Sequence, residues 1–289
     1  MTAFEERRWA SRDGLSLFAR DYAGASGPAR LPVICLHGLT RNSRDFEDVA
    51  PMLAKLGRRV IVPDTRGRGQ SDRDPNPANY VPTTYVGDLL GMLDCLGIAR
   101  AVFVGTSMGG IVTMMLAGKR SRAVAAAVLN DVGPEIAPEG IARIKGYVGG
   151  QTSIGSWDEA AAYIASINRA AFPHAGDEDW RRFARRTFRE GAYGPELDYD
   201  AAISKALTQG RYKAPDFLAW ILFRRLARRR PTLVVRGELS DLLSPAIAAR
   251  MQREAPALRL VEVPAVGHAP MLVEPAASEA LRAFLESVD

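Results

Sequence analysis

The chain has 289 residues, 47% of them hydrophobic and 25% charged, with 38 Lys+Arg against 33 Asp+Glu and a net charge of +5. This composition fills a large core and excludes a collagen, a coiled coil, a disordered tail and a disulfide-dense miniprotein. No apolar run reaches the ~18 residues that span a bilayer, and residues 1–9 mix both charges without an apolar signal segment, so a cytoplasmic protein with no membrane partner is expected.

Taken in chain order, a hairpin is predicted over residues 4–9 and 15–22, turned at Arg12-Asp13-Gly14. Short apolar runs follow at 32–36, 60–63, 101–104 and 124–130, and resume at 232–236 and 259–263. Helical patterns fit between them at 46–56, 84–96, 108–119, 245–255 and 276–288. This alternation predicts an α/β fold: a mostly parallel eight-stranded sheet with helices on both faces. Between 133 and 213 no strand-like run occurs, and helical patterns at 141–148, 158–170, 177–189 and 201–208 are separated by Gly and Pro. Such a stretch is too long for a structureless loop in a compact domain. It predicts a helical cap over 133–213, inserted into a core formed by 1–132 and 214–289. The cap carries Tyr147, Trp157, Tyr163, Phe172, Trp180, Phe183, Phe188 and Tyr193, which predict an apolar pocket for a small, apolar or aromatic substrate.

Nearly all of the basic residues are arginine, and two clusters, at 181–189 and 224–230, alternate with apolar residues at helical spacing. They read as solvated helix faces, and no nucleic-acid motif accompanies them, so no nucleic-acid partner is expected. Cys35 and Cys95 sit in apolar surroundings and read as buried free thiols. No His/Cys/carboxylate cluster has ligand spacing, and Gly67-Arg68-Gly69 lacks the spacing and Lys-Ser/Thr ending of a phosphate loop. Neither metal nor cofactor is expected.

The strongest local signal is Gly105-Thr106-Ser107-Met108-Gly109-Gly110, preceded by an apolar β-branched run and followed by a helical pattern. That is the context of a nucleophile elbow, where flanking glycines let a strained serine project its hydroxyl above a sheet edge. A serine hydroxyl needs a base, and the chain has three histidines. The order Ser, acid, His excludes His37 and favours His268, in Val266-Gly267-His268-Ala269-Pro270, over His174 in the cap. The acid belongs at the carboxyl end of a strand between the two. Asp241, after the run at 232–236, is the favoured member; Asp131, after 124–130, and Glu238 also fit. Asp131 is read here as capping the start of the cap segment.

With these residues in hand, the chain resembles the α/β-hydrolases that carry a helical cap. The resemblance rests on His37-Gly38, the run Asp64-Thr65-Arg66-Gly67-Arg68-Gly69-Gln70-Ser71, the Ser107 elbow, Gly237 followed by Asp241, and Gly267-His268, all in order. It implies an oxyanion hole formed by the backbone N–H groups of Leu39 and Met108. The elbow and the ending Gly-His-Ala-Pro-Met-Leu-Val-Glu-Pro are similar to enol-lactonases, carboxylesterases and carbon–carbon bond hydrolases of aromatic degradation. Ala269 stands where the last group often has Trp, and Ser107 stands where dehalogenases and epoxide hydrolases have Asp. The expected activity is hydrolysis of a small ester or lactone by Ser107, His268 and Asp241. The alternatives are hydrolysis of a carbon–carbon bond in a vinylogous diketone and a non-catalytic ligand sensor on the same fold.

Overall fold

Apolar runs separated by amphipathic helices produce a sheet whose two faces are both covered. The computed structural model describes residues 3–28, 30–150, 154–209 and 215–288. Its strands are β1 (Glu5–Ala10), β2 (Ser16–Tyr22), β3 (Val33–Leu36), β4 (Val60–Asp64), β5 (Ala101–Thr106), β6 (Val124–Asn130), β7 (Phe188–Gly191), β8 (Gly194–Leu197), β9 (Thr232–Gly237) and β10 (Arg259–Val263). Eight of them form one sheet in the order β1-β2-β4-β3-β5-β6-β9-β10, and β7 pairs with β8 alone. β2 runs antiparallel to both of its neighbours, as the predicted hairpin requires; the pairs from β4 to β10 are parallel.

The helices are α1 (Val49–Lys55), α2 (Pro82–Cys95), α3 (Met108–Lys119), α4 (Pro138–Tyr147), α5 (Trp157–Asn168), α6 (Asp177–Thr187), α7 (Ile203–Thr208), α8 (Asp216–Ala227), α9 (Pro245–Glu254) and α10 (Pro275–Glu286). α1 and α10 cover one face of the sheet through Val49, Leu53, Leu281 and Phe284. α2, α3 and α8 cover the other through Leu89, Met92, Leu116 and Phe223. All seven residues of β6 are buried, so the central strands have no solvated side.

Four expectations need correction. The segment after β6 contains a hairpin as well as helices: α6 ends at Thr187 and the chain turns from β7 into β8. The signal is Gly191-Ala192-Tyr193-Gly194, a two-residue loop between paired glycines, with Gly194 at φ +134°. The helix expected at 46–56 is a 3₁₀ turn, Ser43–Phe46, capped by Asn42, followed by α1. Cys95 is exposed, because it falls off the stripe of α2 that buries Tyr85, Leu89, Met92 and Leu93. Arg186 is buried within an otherwise solvated cluster, its guanidinium donating to Glu47 (2.7 Å) and Asp48 (2.6 Å).

The segment between β6 and α8 has its own apolar cluster, which joins Ile154, Ala160, Ile164, Trp180 and Phe188. It is fastened to the loops of the sheet by polar contacts. Arg44 pairs with Asp198 at 2.5 Å, Tyr80 Oη donates to Asp200 at 2.6 Å, and Arg68 and Tyr199 form an isolated β-bridge. No helix is long and apolar enough to cross a membrane, among the described residues.

Candidate active site

β5 ends at Thr106, and Ser107 turns the chain into α3 with φ +52° and ψ −115°, outside the regions open to ordinary L-residues. Such strain persists only where the surroundings enforce it. Here a Cβ on Gly105 would stand 2.5 Å from the Gly109 carbonyl carbon, and one on Gly109 would stand 2.2 Å from the Leu36 carbonyl oxygen. Strand, turn and helix fit only with glycine at both places. Ser107 thereby sits at the N-terminus of α3, where orphan N–H groups favour negative charge.

His268 lies between β10 and α10, and its imidazole bridges two groups. Ser107 Oγ donates to Nε2 at 3.0 Å, and Nδ1 donates to Asp131 Oδ2 at 2.7 Å. The carboxylate is therefore Asp131, at the end of β6, and not Asp241. Asp131 is fully buried and adopts φ +53°, a conformation that Asp tolerates better than most residues. Its Oδ1 accepts the Gly237 N–H at 2.9 Å, and its Oδ2 also accepts Ser240 Oγ–H at 2.6 Å. Asp241 is turned away into an ion pair with Arg143 of α4, at 2.6 and 2.9 Å. Burial alone would raise the Asp241 carboxyl, but the Arg143 hydrogen bonds and charge outweigh it and hold it below its ordinary value. His174 is exposed on the inserted segment, and Glu238 accepts the Ala265 N–H at 2.7 Å.

The third histidine has a different task. His37 is buried, its Nε2 accepts the Thr65 N–H at 3.0 Å, and its Nδ1 donates to the Gly38 carbonyl at 2.8 Å. Burial pushes its pKa down to about 4, so the ring is neutral with its proton on Nδ1. The Gly38 carbonyl and the Leu39 N–H belong to one trans peptide, so fixing the first aims the second the opposite way. Among the described residues, neither the Leu39 N–H nor the Met108 N–H donates to a protein acceptor.

The fold that carries these groups agrees with comparison to known proteins. The model of the alpha/beta hydrolase family matches residues 33–281. The chain belongs to the alpha/beta hydrolase family. It is 37% identical over 251 residues to the 3-hydroxybutyrate-oligomer hydrolase of Cupriavidus necator, covering 84% of each chain. It is 30% identical over 249 residues to the 2-(acetamidomethylene)succinate hydrolase of Mesorhizobium japonicum, covering 84% of this chain and 82% of that one. Its fold superposes with a TM-score of 0.93 on the crystal structure of an alpha/beta hydrolase from Novosphingobium aromaticivorans, at 44% identity and with full coverage of both chains.

In this alpha/beta hydrolase, Ser107 and His268 open into a cavity of about 110 Å³ beneath the inserted segment. A wider polar groove of about 700 Å³ passes Arg20, Arg44, Asp72 and Arg189, but the Ser107–His268 pair does not face it. Of the eight aromatics expected to shape the pocket, Tyr147, Tyr163, Phe172 and Phe183 line it. Trp180 and Phe188 pack the inserted segment internally, Trp157 lies partly buried under the Arg185 guanidinium, and Tyr193 is 96% exposed. The walls also carry Thr40, Thr187, Asn168 and the Arg41–Asp45 ion pair, so the site is more polar than its aromatic content implies. Arg41 lies over the Phe183 ring at 4.2 Å and donates to Thr187 Oγ1.

Proposed function

We propose that the protein hydrolyses small carboxylic esters through Ser107, His268 and Asp131. The observation that carries this reading is the continuous relay from Ser107 Oγ through the imidazole to a buried carboxylate, 3.0 and 2.7 Å per step, at the floor of a cavity. Ser107 Oγ attacks the ester carbonyl carbon as its proton passes to His268 Nε2. The carbonyl oxygen becomes an anion held by the N–H groups of Leu39 and Met108, each such donor worth about 3 kcal/mol in the transition state. Collapse expels the alcohol, which leaves with the proton from His268. Water then attacks the acyl-enzyme, returns a proton through His268, and the acid departs with Ser107 restored. Asp131 holds the imidazole in the tautomer that can accept from Ser107 and stabilises its protonated form.

The segment 133–213 acts as the cap over this site, on a core of 1–132 and 214–289. Its small, partly polar cavity suits a short acyl group with hydroxyl or carboxylate functions better than a long lipid chain. The name of the Cupriavidus necator relative supports placing esters of short hydroxy acids first among the substrates. A panel of chromogenic short and long esters, a lactone, a 3-hydroxybutyrate dimer and a ring-fission diketone tests the reading. Short esters should turn over, and Ser107→Ala and His268→Ala should each lose about 10⁴-fold or more with an unchanged fold. Retention of a tenth of wild-type turnover by either variant, or exclusive cleavage of the diketone, would overturn it.

A further inference from the structure

Arg68 lies outside the Ser107–His268–Asp131 relay, yet its guanidinium meets both halves of the proposed anion site. The side chain is 1% exposed. Its Nε–H donates to the Leu39 carbonyl at 2.9 Å, and Nη1 donates to the Arg66 carbonyl at 2.8 Å and to Tyr85 Oη at 3.0 Å. Nη2 lies 3.9 Å from Met108 Sδ, and the rings of Tyr80 and Tyr85 flank the cation at 5.7 and 4.9 Å. Leu39 and Met108 are the two residues whose N–H groups face the developing anion.

We propose that Arg68 is a positioning residue that sets the oxyanion donors. The proposal rests on reading Ser107, His268 and Asp131 as a hydrolase centre. The φ and ψ of Leu39 lie between two peptide units. The first is held by His37 on the Gly38 carbonyl, and the second by Arg68 on the Leu39 carbonyl. With both units tethered, the Leu39 N–H cannot rotate away from the anion, whose donors must stand about 2.7–3.1 Å from the oxygen. A bond from a guanidinium is stronger than one between neutral groups, which suits it to holding a loop against the thermal motion of a turn. On the other side the guanidinium packs against the side chain of Met108, the first residue of α3. The loop that carries Arg68 is also joined to the inserted segment. The Gly69 N–H donates to the Asp198 carbonyl at 3.0 Å, and the Asp200 N–H donates to the Gly67 carbonyl at 2.8 Å. One loop therefore connects the roof of the cavity to its anion site.

The test compares Arg68→Met, which removes every donor, with Arg68→Lys, which keeps one cationic donor for the Leu39 carbonyl. Turnover of a short chromogenic ester is measured per active site titrated with a fluorophosphonate, beside the affinity for a trifluoromethyl ketone whose Ser107 adduct presents an oxyanion. Arg68→Met should lower kcat about 10- to 100-fold with KM within about threefold, and weaken the ketone by the same factor as kcat. Arg68→Lys should recover part of both. A role in stability alone would lower the melting temperature and the titratable fraction while leaving kcat per site and the ratio of ketone affinity to KM unchanged, and that result overturns the proposal. If Arg68→Met does not fold, the same ratio in Arg68→Lys decides: unchanged, it refutes the positioning role. Ser107→Ala is assayed in parallel. If it still turns over substrate, the hydrolase reading has failed and this proposal falls with it. If it is inactive while the Arg68 variants match wild type, the positioning role alone is refuted.

Discussion

Asp131→Asn is the substitution that most sharply separates the observed relay from the expected one. The wild-type carboxylate accepts three hydrogen bonds: Gly237 N–H on Oδ1, and Ser240 Oγ–H and His268 Nδ1–H on Oδ2. An amide has one acceptor end and one donor end. If the amide nitrogen faced Gly237, two N–H groups would oppose each other at the 2.9 Å now spanned by a hydrogen bond, leaving a buried donor unpaired at about 1–3 kcal/mol. The amide oxygen therefore stays on Gly237, and the NH₂ group faces His268. Ser240 Oγ already accepts the Leu242 and Leu243 N–H groups, so it must release the longer of these, Leu242 at 3.2 Å, to accept an amide hydrogen while its own O–H turns away. The imidazole can adapt only by moving its proton to Nε2, where it points at Ser107 and blocks the base. The expected loss is about 10⁴-fold in kcat, or about 5 kcal/mol at 1.36 kcal/mol per tenfold, the scale that the same inversion has in the worked Ser-His-Asp protease case. Asp241→Asn is the matched control. Its partner Arg143 is half-buried and still finds an amide oxygen, so the loss should stay within about threefold. The assay is steady-state hydrolysis of a chromogenic short ester, with circular dichroism to confirm folding. Asp131→Asn within tenfold of wild type, or a larger loss in Asp241→Asn, would refute the reasoning.

Three further outcomes are expected. Gly109→Ala places a Cβ 2.2 Å from the Leu36 carbonyl and should destabilise by about 2 kcal/mol or more, whereas Gly87→Ala, in the interior of α2 with nothing within 4 Å, should stabilise by about 0.5–1 kcal/mol; thermal melts showing the same sign for both would contradict the elbow packing. The neutral His37, at about 4 in the fold against 6.5 ordinarily, leaves the unfolded chain binding the extra proton between those values, so its contribution is full above about 6.5 and lost as pH falls toward 4, by up to about 3 kcal/mol. In urea unfolding, His37→Gln should lose that much less stability than wild type over the same window, and equal acid sensitivity would count against it; buried Asp64, raised to about 6, works in the opposite direction but is common to both proteins. Replacing 133–213 by a Gly/Ser linker should flatten the ranking of short against long esters more than it slows the best of them; an unchanged ranking would remove the segment from substrate selection.

The sequence made the sheet, the elbow and the histidine legible because each is a local pattern. β-branched apolar runs, Gly-x-Ser-x-Gly between a strand and a helix, and Gly-His before the last helix all act over a few residues. The hairpin of β7 and β8 was hidden by the arginine spacing of α6, which runs on in helical register into Arg189 while the backbone has already turned extended at Phe188. The carboxylate was the harder case, since Asp131 and Asp241 both follow strands and composition cannot rank them. One clue was present: Asn130-Asp131 ends an apolar run as abruptly as Thr106-Ser107 does. Which four of the eight aromatics line the cavity was beyond reach, because helical phase alone does not say which side of a small helical layer faces the core.

The placement of Asp131 beside Ser107 follows from the register of the sheet. Thr106 of β5 stands opposite Asn130 of β6, so Ser107 and Asp131 are each the next residue of neighbouring parallel strands. Both leave the sheet at one level with positive φ, Ser107 N–H bonding to the Asn130 carbonyl at 3.0 Å and Asp131 N–H to the Val235 carbonyl at 2.7 Å. An imidazole that joins them must approach from beyond the strand ends. The His268 loop does so, tethered by Asn130 Nδ2, which donates to the Pro270 carbonyl at 2.8 Å and to Thr106 Oγ1 at 3.0 Å. One amide thus ties together β5, β6 and the His268 loop. The end of β9 and the loop after it, where the acid was expected, instead supply the Gly237 N–H and the Ser240 hydroxyl that orient Asp131, while Ser240 Oγ in turn accepts the N–H groups of Leu242 and Leu243. A carboxylate fixed from two strands and a turn needs no movable side chain to hold the imidazole, and Asp241 is left free to join the inserted segment to the core through Arg143.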